Sequence, residues 1–218
     1  MERPSGWNEG MADIYNALAA DYLYGFDRAG DHLVTFLDNH DEGRFFGKVG
    51  KDLDRFKLGL GMLYTLRGIP SIYYGTELLY SALDDHGAMR QDFAGGWPGD
   101  KTSGFTGQGL TVDQREAQAY VRQLGALRLA NPLIGTGNFM QFTPDMGSFA
   151  YAWYSDSEVI LVLANGDDRV HRWPTERVAD LGISPYTTFT DLIQGGTVTA
   201  GAELLFPAKG IRILRAVR

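Results

Sequence analysis

The sequence predicts an α/β region followed by an all-β region, and two observations carry that reading. Two nearly continuous apolar runs, at 33–37 and 69–75, flank an amphipathic stretch, which is the pattern of a βαβ unit. After about residue 137 the apolar period changes from that of a helix to the alternation of strands. The expected division is therefore 1–136 for the α/β part and 137–218 for an antiparallel β-sandwich, with the boundary inside 132–138.

The elements follow in order. Residues 8–20 read as a helix, with Met11, Ile14, Tyr15 and Leu18 on one face. Leu33-Val34-Thr35-Phe36-Leu37 lacks alternation, as a parallel strand covered on both faces does, and it stops abruptly at Asp38-Asn39-His40-Asp41. Residues 52–66 form a second helix with Leu53, Phe56, Leu60, Leu63 and Tyr64 as its stripe and Gly68 as its stop. Ile69-Pro70-Ser71-Ile72-Tyr73-Tyr74-Gly75 is the second strand run, with Pro70 near its start, where proline is tolerated.

Residues 76–110 are irregular and glycine-rich, and a connection of that length is usually functional or disordered. Thr111 and Gln114 form a capping box before a helix that buries Ala117, Tyr120, Val121, Leu124 and Leu127, and Asn131-Pro132 ends it. Beyond it, Ser148–Tyr154 alternates Phe149, Tyr151 and Trp153 with smaller residues, Glu158–Ala164 is apolar, and Ile211–Val217 is the last strand. Turn signals stand at 144–147, 165–168 and 194–196. Trp153 and Trp173 read as core of this region.

Composition excludes several classes. The 218 residues are 44% hydrophobic and 22% charged, enough apolar matter for a packed core. A net charge of −7 argues against nucleic acid as a partner. The absence of cysteine removes disulfides, zinc–thiolate sites and cysteine nucleophiles. No stretch reaches the roughly 18 apolar residues of a membrane span, so no membrane partner is expected. Met1–Trp7 carries no apolar core of a signal peptide. No Gly-x-Ser-x-Gly nucleophile elbow is present, and Gly59-Leu60-Gly61 lies inside a helix, where it cannot serve as a dinucleotide loop.

Two parallel strands alone leave open edges and no closed core. The first region therefore reads either as a small α/β unit or as the end of a larger barrel, a fold that takes about 250 residues.

The sharpest chemical feature is Asp38-Asn39-His40-Asp41 at a strand end. Polar residues there face the side where barrel enzymes hold their active sites. His40 can donate a hydrogen bond to a sugar hydroxyl; Asp41 can accept one and place negative charge beside a developing oxocarbenium ion. The alternative is that Asp and Asn only cap the next helix. Arg44 either contacts substrate or pairs with a carboxylate to orient the loop. Arg90 and Asp92 either grip sugar hydroxyls or form a salt bridge that stiffens the glycine-rich loop. Trp97 either stacks on a sugar ring or pins its own loop. Asp84-Asp85-His86 is a candidate metal cluster whose alternative is simple solvation.

Phe36-Leu37-Asp38-Asn39-His40-Asp41, followed by Arg44-Phe45, resembles the fourth signature region of the α-amylase family, glycoside hydrolase family 13. Arg67-Gly68-Ile69-Pro70-Ser71-Ile72-Tyr73-Tyr74-Gly75-Thr76-Glu77 resembles that family's eighth barrel strand, in the right order and at the right separation. Residues 89–100 further resemble the neopullulanase and cyclomaltodextrinase branch, except that a proline is usual where this chain has Ala94.

The resemblance runs from about residue 7 to the end. It implies strands seven and eight of a (β/α)8 TIM barrel followed by the family's β-sandwich domain C. It implies that His40 and Asp41 are catalytic, Asp41 being the transition-state-stabilising carboxylate, and that Asn39 completes the triplet at the sugar. Arg44, Arg90, Asp92 and Trp97 are further candidates for substrate contact, on the residue chemistry given above and with the alternatives stated there. The implied partner is an α-glucan oligosaccharide, from cyclodextrin, pullulan or starch. The family's nucleophile and acid/base lie on strands four and five, whose signatures are absent here, so the chain alone is expected to be inactive.

No cofactor is implied; some family members bind calcium, but largely through a region that precedes these residues. The resemblance favours a periplasmic or extracellular parent and admits a homo-oligomer. A second class stays open: relatives that keep the fold and serve as non-catalytic carbohydrate-binding or interaction modules.

Overall fold

The computed structural model describes residues 9–20, 23 and 26–217. The expected start of the first helix at residue 8, and the reading of Met1–Trp7, lie outside the described residues. The elements of the first part are α1 (Glu9–Leu18), β1 (Val34–Thr35), α2 (Phe45–Lys48), α3 (Leu53–Thr65), β2 (Ile69–Pro70), α4 (His86–Met89), α5 (Val112–Ala130) and α6 (Leu133–Thr136). Eight strands follow: β3 (Asn138–Gln141), β4 (Ser148–Tyr154), β5 (Glu158–Asn165), β6 (His171–Pro174), β7 (Thr188–Asp191), β8 (Thr197–Thr199), β9 (Glu203–Phe206) and β10 (Gly210–Val217). The α-helices thus lie in the first part, and the strands of the second part pair antiparallel. Its contacts divide it into two units, one holding residues up to Leu33, Thr65–Gly68 and those from Leu127 onward, the other holding Val34–Tyr64 and Ile69–Ala126.

The unit that carries the β-region is built on a six-stranded sheet in the order β3-β4-β5-β10-β7-β8, with β6 and β9 forming a separate pair. β5 pairs along its whole length with β10 and from Val159 to Asn165 with β4, antiparallel in each case. Strand period sorts the side chains. Ala150 and Ala152 of β4 and Val159, Leu161 and Leu163 of β5 enter a core with Trp173, Phe189 and Phe206. The alternate residues Phe149, Tyr151 and Trp153 are buried as well. On their side the Tyr151 hydroxyl bonds Thr65 Oγ1 at 2.6 Å, and Trp153 Nε1 donates to Thr65 O at 2.6 Å. Tyr15 meets Phe149 edge-on at 6.4 Å. Both faces of the central strands are therefore dry, and β4 and β5 show almost unbroken burial. Trp153 and Trp173 are core residues, as expected.

In the other unit β1 and β2 pair in parallel, Val34 with Ile69 and Thr35 with Pro70. Both strands are shorter than the apolar runs that predict them. They are also not covered: Val34 is 60%, Phe36 50% and Ile69 54% exposed, against the expectation of burial on both faces. The physical reason is that a parallel pair is buried only when neighbouring strands and helices cover it, and the described residues cover these side chains only in part. α3 buries Phe56, Leu58, Leu60, Met62 and Leu63, a broader face than its predicted stripe. Gly59 sits mid-helix because the Phe45 ring occupies the space its Cβ would need. α5 opens on the predicted capping box: Gln114 N donates to Thr111 Oγ1 at 3.1 Å and Thr111 N to Gln114 Oε1 at 3.0 Å. It then buries Ala117, Tyr120, Leu124 and Leu127.

Candidate functional site

The candidate site lies within the unit of Val34–Tyr64 and Ile69–Ala126. β1 ends at Thr35, and the chain turns at Asn39. The Asn39 Oδ1 accepts from Asp41 N at 2.8 Å and Glu42 N at 3.0 Å, a side-chain-closed turn of the kind Asn favours. The Asn39 side-chain oxygen is therefore engaged by the backbone, and the turn it closes presents His40 and Asp41 outward. The side chains of His40 and Asp41 are 64% and 66% exposed, with His40 Nε2 3.1 Å from Asp41 Oδ2. Arg90, just beyond α4, donates from Nη2 to the other oxygen of Asp41 at 2.9 Å. One carboxylate thus holds a histidine on one oxygen and a guanidinium on the other, and all three groups face solvent.

Beneath this exposed trio is a buried one. Asp38 is 3% exposed. Its Oδ2 accepts from Phe45 N at 2.9 Å, and the Thr76 hydroxyl reaches Oδ1 at 2.9 Å and Oδ2 at 3.1 Å. The Arg44 guanidinium stands 3.7 Å from Asp38 Oδ2, donates from Nη2 to Tyr74 O, and lies 4.3 Å over the Tyr73 ring. Arg44 is fully buried. It offers no surface to a sugar and acts instead as a post between the turn and the segment after β2, which corrects the expectation of substrate contact. That segment turns at Gly75, whose φ of +82° and contact with the Tyr80 ring both exclude a Cβ.

Glu77 follows in the short 3-10 turn Thr76–Leu78. Burial raises its carboxyl above the usual range, more than the nearby backbone N–H groups and Arg44 lower it. Burial also raises the Tyr74 hydroxyl, with its hydrogen bond to Tyr73 adding to the effect.

The glycine-rich loop is ordered by its own hydrogen bonds. The Tyr80 hydroxyl donates to Asp92 O at 3.0 Å and accepts from Ala94 N at 3.0 Å. Asp100 Oδ2 takes the N–H groups of Gly95 and Trp97. Asp100 and Tyr80 pin the loop, so the Trp97 ring, 63% exposed, is not needed for that purpose. The side chain of Asp92 is exposed, and the partner of Arg90 is Asp41 rather than Asp92. Asp85 Oδ1 caps α4 through Gly87 N and Ala88 N. Among the described residues no group of three His, Asp or Glu side chains is placed to hold a metal ion.

A second polar array lies in the β-region: His171 sits 3.1 Å from Asp167 and 3.4 Å from Ser148 Oγ. It has the residue types of a nucleophilic triad without its chemistry. Ser148 is fully buried, its hydroxyl donates to Asp145 O, and Trp173 Nε1 donates to it at 2.9 Å. The array is a structural tie.

Residues 139–215 match the family model described as the cyclo-malto-dextrinase C-terminal domain. A cyclomaltodextrin glucanotransferase of Geobacillus stearothermophilus is 29% identical over 195 residues, which are 87% of this chain and 24% of the relative. A Bacillus cyclomaltodextrinase is 27% identical over 163 residues, 73% of this chain and 27% of the relative. Residues 139–215 are thus similar to the C-terminal domain of cyclo-malto-dextrinases, and most of the chain is similar to part of the cyclomaltodextrin-acting relatives.

Among solved structures, an Anoxybacillus α-amylase superposes with a TM-score of 0.72 at 22% identity, over 98% of this chain and 44% of its own. The Geobacillus thermoleovorans α-amylase solved with acarbose gives the same score over 94% and 42%. At these identities the superpositions establish the fold alone. The chain spans about a quarter to a half of the α-amylase-family proteins it matches.

Sequence reasoning singled out His40, Asp41 and Arg90, which the structure brings together. It overlooked Asp38, Thr76 and Tyr80 as the groups that hold them. One signal was available: a carboxylate directly after an apolar strand run must find a partner, and Arg44 stands six residues on.

Proposed function

We propose that this chain supplies one wall of the active site of a retaining α-glucan hydrolase. In this reading β1 and β2 are adjacent parallel strands of a (β/α)8 barrel, the turn at Asn39–Asp41 lies at its C-terminal mouth, and residues 137–218 form domain C. His40 donates to a hydroxyl of the glucose unit being cleaved. Asp41 accepts from a neighbouring hydroxyl and stabilises the positive charge that builds on the ring. At about 4 Å and an effective dielectric near 20, such a charge pair is worth about 4 kcal/mol. Arg90 keeps the Asp41 carboxylate oriented and ionised, and Trp97 and Asp92 line the approach of the oligosaccharide. The nucleophile and the acid/base, which a retaining enzyme places about 5–5.5 Å apart, come from a segment other than this one.

The observation that carries the reading is the exposed His40–Asp41–Arg90 trio on a turn closed by Asn39. Supporting it are the relatives, which act on or transfer cyclomaltodextrins by name, and the exposed apolar side chains of β1 and β2, which suit cover by further strands. Assay of the isolated 218-residue chain on cyclodextrin, pullulan and starch tests the division of labour. Turnover at the level of a blank is expected, and turnover well above it excludes the proposal. In the longer enzyme, Asp41→Asn and His40→Ala are expected to lower kcat by at least about 10²-fold.

A further inference from the structure

Resting on the reading of His40 and Asp41 as the sugar-facing pair, we infer that Asp38 is a positioning residue for them, acting with Thr76 as a clamp across the base of their turn. The chain leaves β1, runs out through Asn39–Asp41 and returns at Phe45. The two ends of that excursion are joined by one side chain: Asp38 Oδ2 accepts the Phe45 N–H at 2.9 Å. The same carboxylate is anchored outside the excursion by the Thr76 hydroxyl at 2.9 and 3.1 Å. Thr76 belongs to the 3-10 turn that follows β2, so the clamp fixes the base of one strand's turn to the segment after the other.

Arg44 completes it from below, 3.7 Å from Asp38 and bonded to Tyr74 O, and its own N–H donates to Ala82 O at 2.8 Å. Within these fixed ends the Asn39 side chain leaves the turn little freedom, since two of its backbone N–H groups are already bonded. Asp38 cannot itself touch a ligand, because it is 3% exposed. What it can set is the place where the His40 ring and the Asp41 carboxylate stand.

A misplacement of the order of 1 Å in a group that acts on the transition state costs about 10²-fold in rate. The expected signature is therefore in kcat and not in KM, because hydroxyl contacts made elsewhere still hold the substrate. The clamp's acceptors also predict which conservative change is tolerated: Thr76→Ser keeps the hydroxyl that Asp38 accepts, and Thr76→Val removes it while keeping the volume.

The experiment uses the longer enzyme with maltoheptaose as substrate and compares Asp38→Asn, Thr76→Val, Thr76→Ser and Asp41→Asn. Expected are a fall in kcat of about 10²-fold for Asp38→Asn, a smaller fall for Thr76→Val, recovery in Thr76→Ser, and KM within a few-fold of the parent throughout. If Asp38→Asn fails to accumulate as folded protein, the Thr76 pair decides. Asp38→Asn and Thr76→Val at parental kcat beside an inactive Asp41→Asn overturn the clamp and leave the site intact. Parental kcat in Asp41→Asn overturns both. Equal losses in Thr76→Val and Thr76→Ser also overturn the clamp, since the hydroxyl would then not matter.

Discussion

Arg90 Nη2 donates to Asp41 Oδ1 at 2.9 Å across 49 residues of sequence. Both side chains are largely in water, at 43% and 66% exposure, and exposed pairs of this kind contribute about 0–1 kcal/mol to folding. Arg90→Ala is therefore expected to change the urea unfolding free energy of the chain by less than about 1 kcal/mol, while raising KM and lowering kcat of the longer enzyme. Arg90→Lys restores charge but not the planar fork, and is expected to recover the activity only in part. Unfolding curves and steady-state kinetics on the same variants check this.

The buried pair behaves in the opposite way. Arg44→Ala leaves the Asp38 carboxylate without its cation in a site that water does not reach. Such orphaned charges cost about 3–5 kcal/mol. Replacing both partners, as in Asp38→Asn with Arg44→Met, is expected to cost clearly less than the sum of the single changes. A double-mutant cycle by urea unfolding measures the difference.

Thr111→Ala removes the acceptor for Gln114 N at the start of α5 and is expected to cost about 1 kcal/mol. Gln114→Ala is expected to cost more, because Gln114 Nε2 also donates to Leu78 O at 3.0 Å, inside the small apolar cluster of Leu78, Tyr80 and Leu110. Thermal unfolding of the two variants ranks them.

Glu77 sets a pH dependence whose sign follows from its burial. Its folded carboxyl titrates above the ordinary value of 4.5, so between those two values the folded state binds more protons than the unfolded one. Stability then falls as pH rises through that window, and the loss persists above it. Glu77→Gln is expected to raise the melting temperature at neutral pH and to leave it unchanged below pH 4.5. Melting curves across that range decide the matter; a variant less stable than the parent at neutral pH would count against a strained Glu77.

Much of the fold was legible. The helices over residues 53–65 and 112–130, the capping box and the long strands β4, β5 and β10 follow from periodicity and turn chemistry, which are local. Of the site, His40, Asp41 and Arg90 were found because they are exposed polar residues at element ends. The clamp was not found, because Asp38 and Thr76 meet across 38 residues and only folding brings them together. Of the two readings open for Arg44, sugar contact and pairing with a carboxylate, the structure fits the second, with Asp38 at 3.7 Å; charge alone does not tell an arginine that grips a ligand from one that holds up a turn. Burial of the second face of β4 was not legible for a related reason, since it depends on Thr65 and Tyr15, far away in sequence.

Pro70 gives the parallel pair a polarity. Ser71 N donates to Thr35 O at 2.8 Å, so the odd-numbered residues of β2 turn their amides toward β1 and Pro70 turns its imide outward. A proline has no hydrogen to give there. Any strand that joins β2 from its free side must register past that position, and a chain seeking to zip along the bare edge meets a gap at its first rung. A single ring thus leaves one rung of this edge without a donor, while the Pro70 carbonyl can still accept a hydrogen bond there.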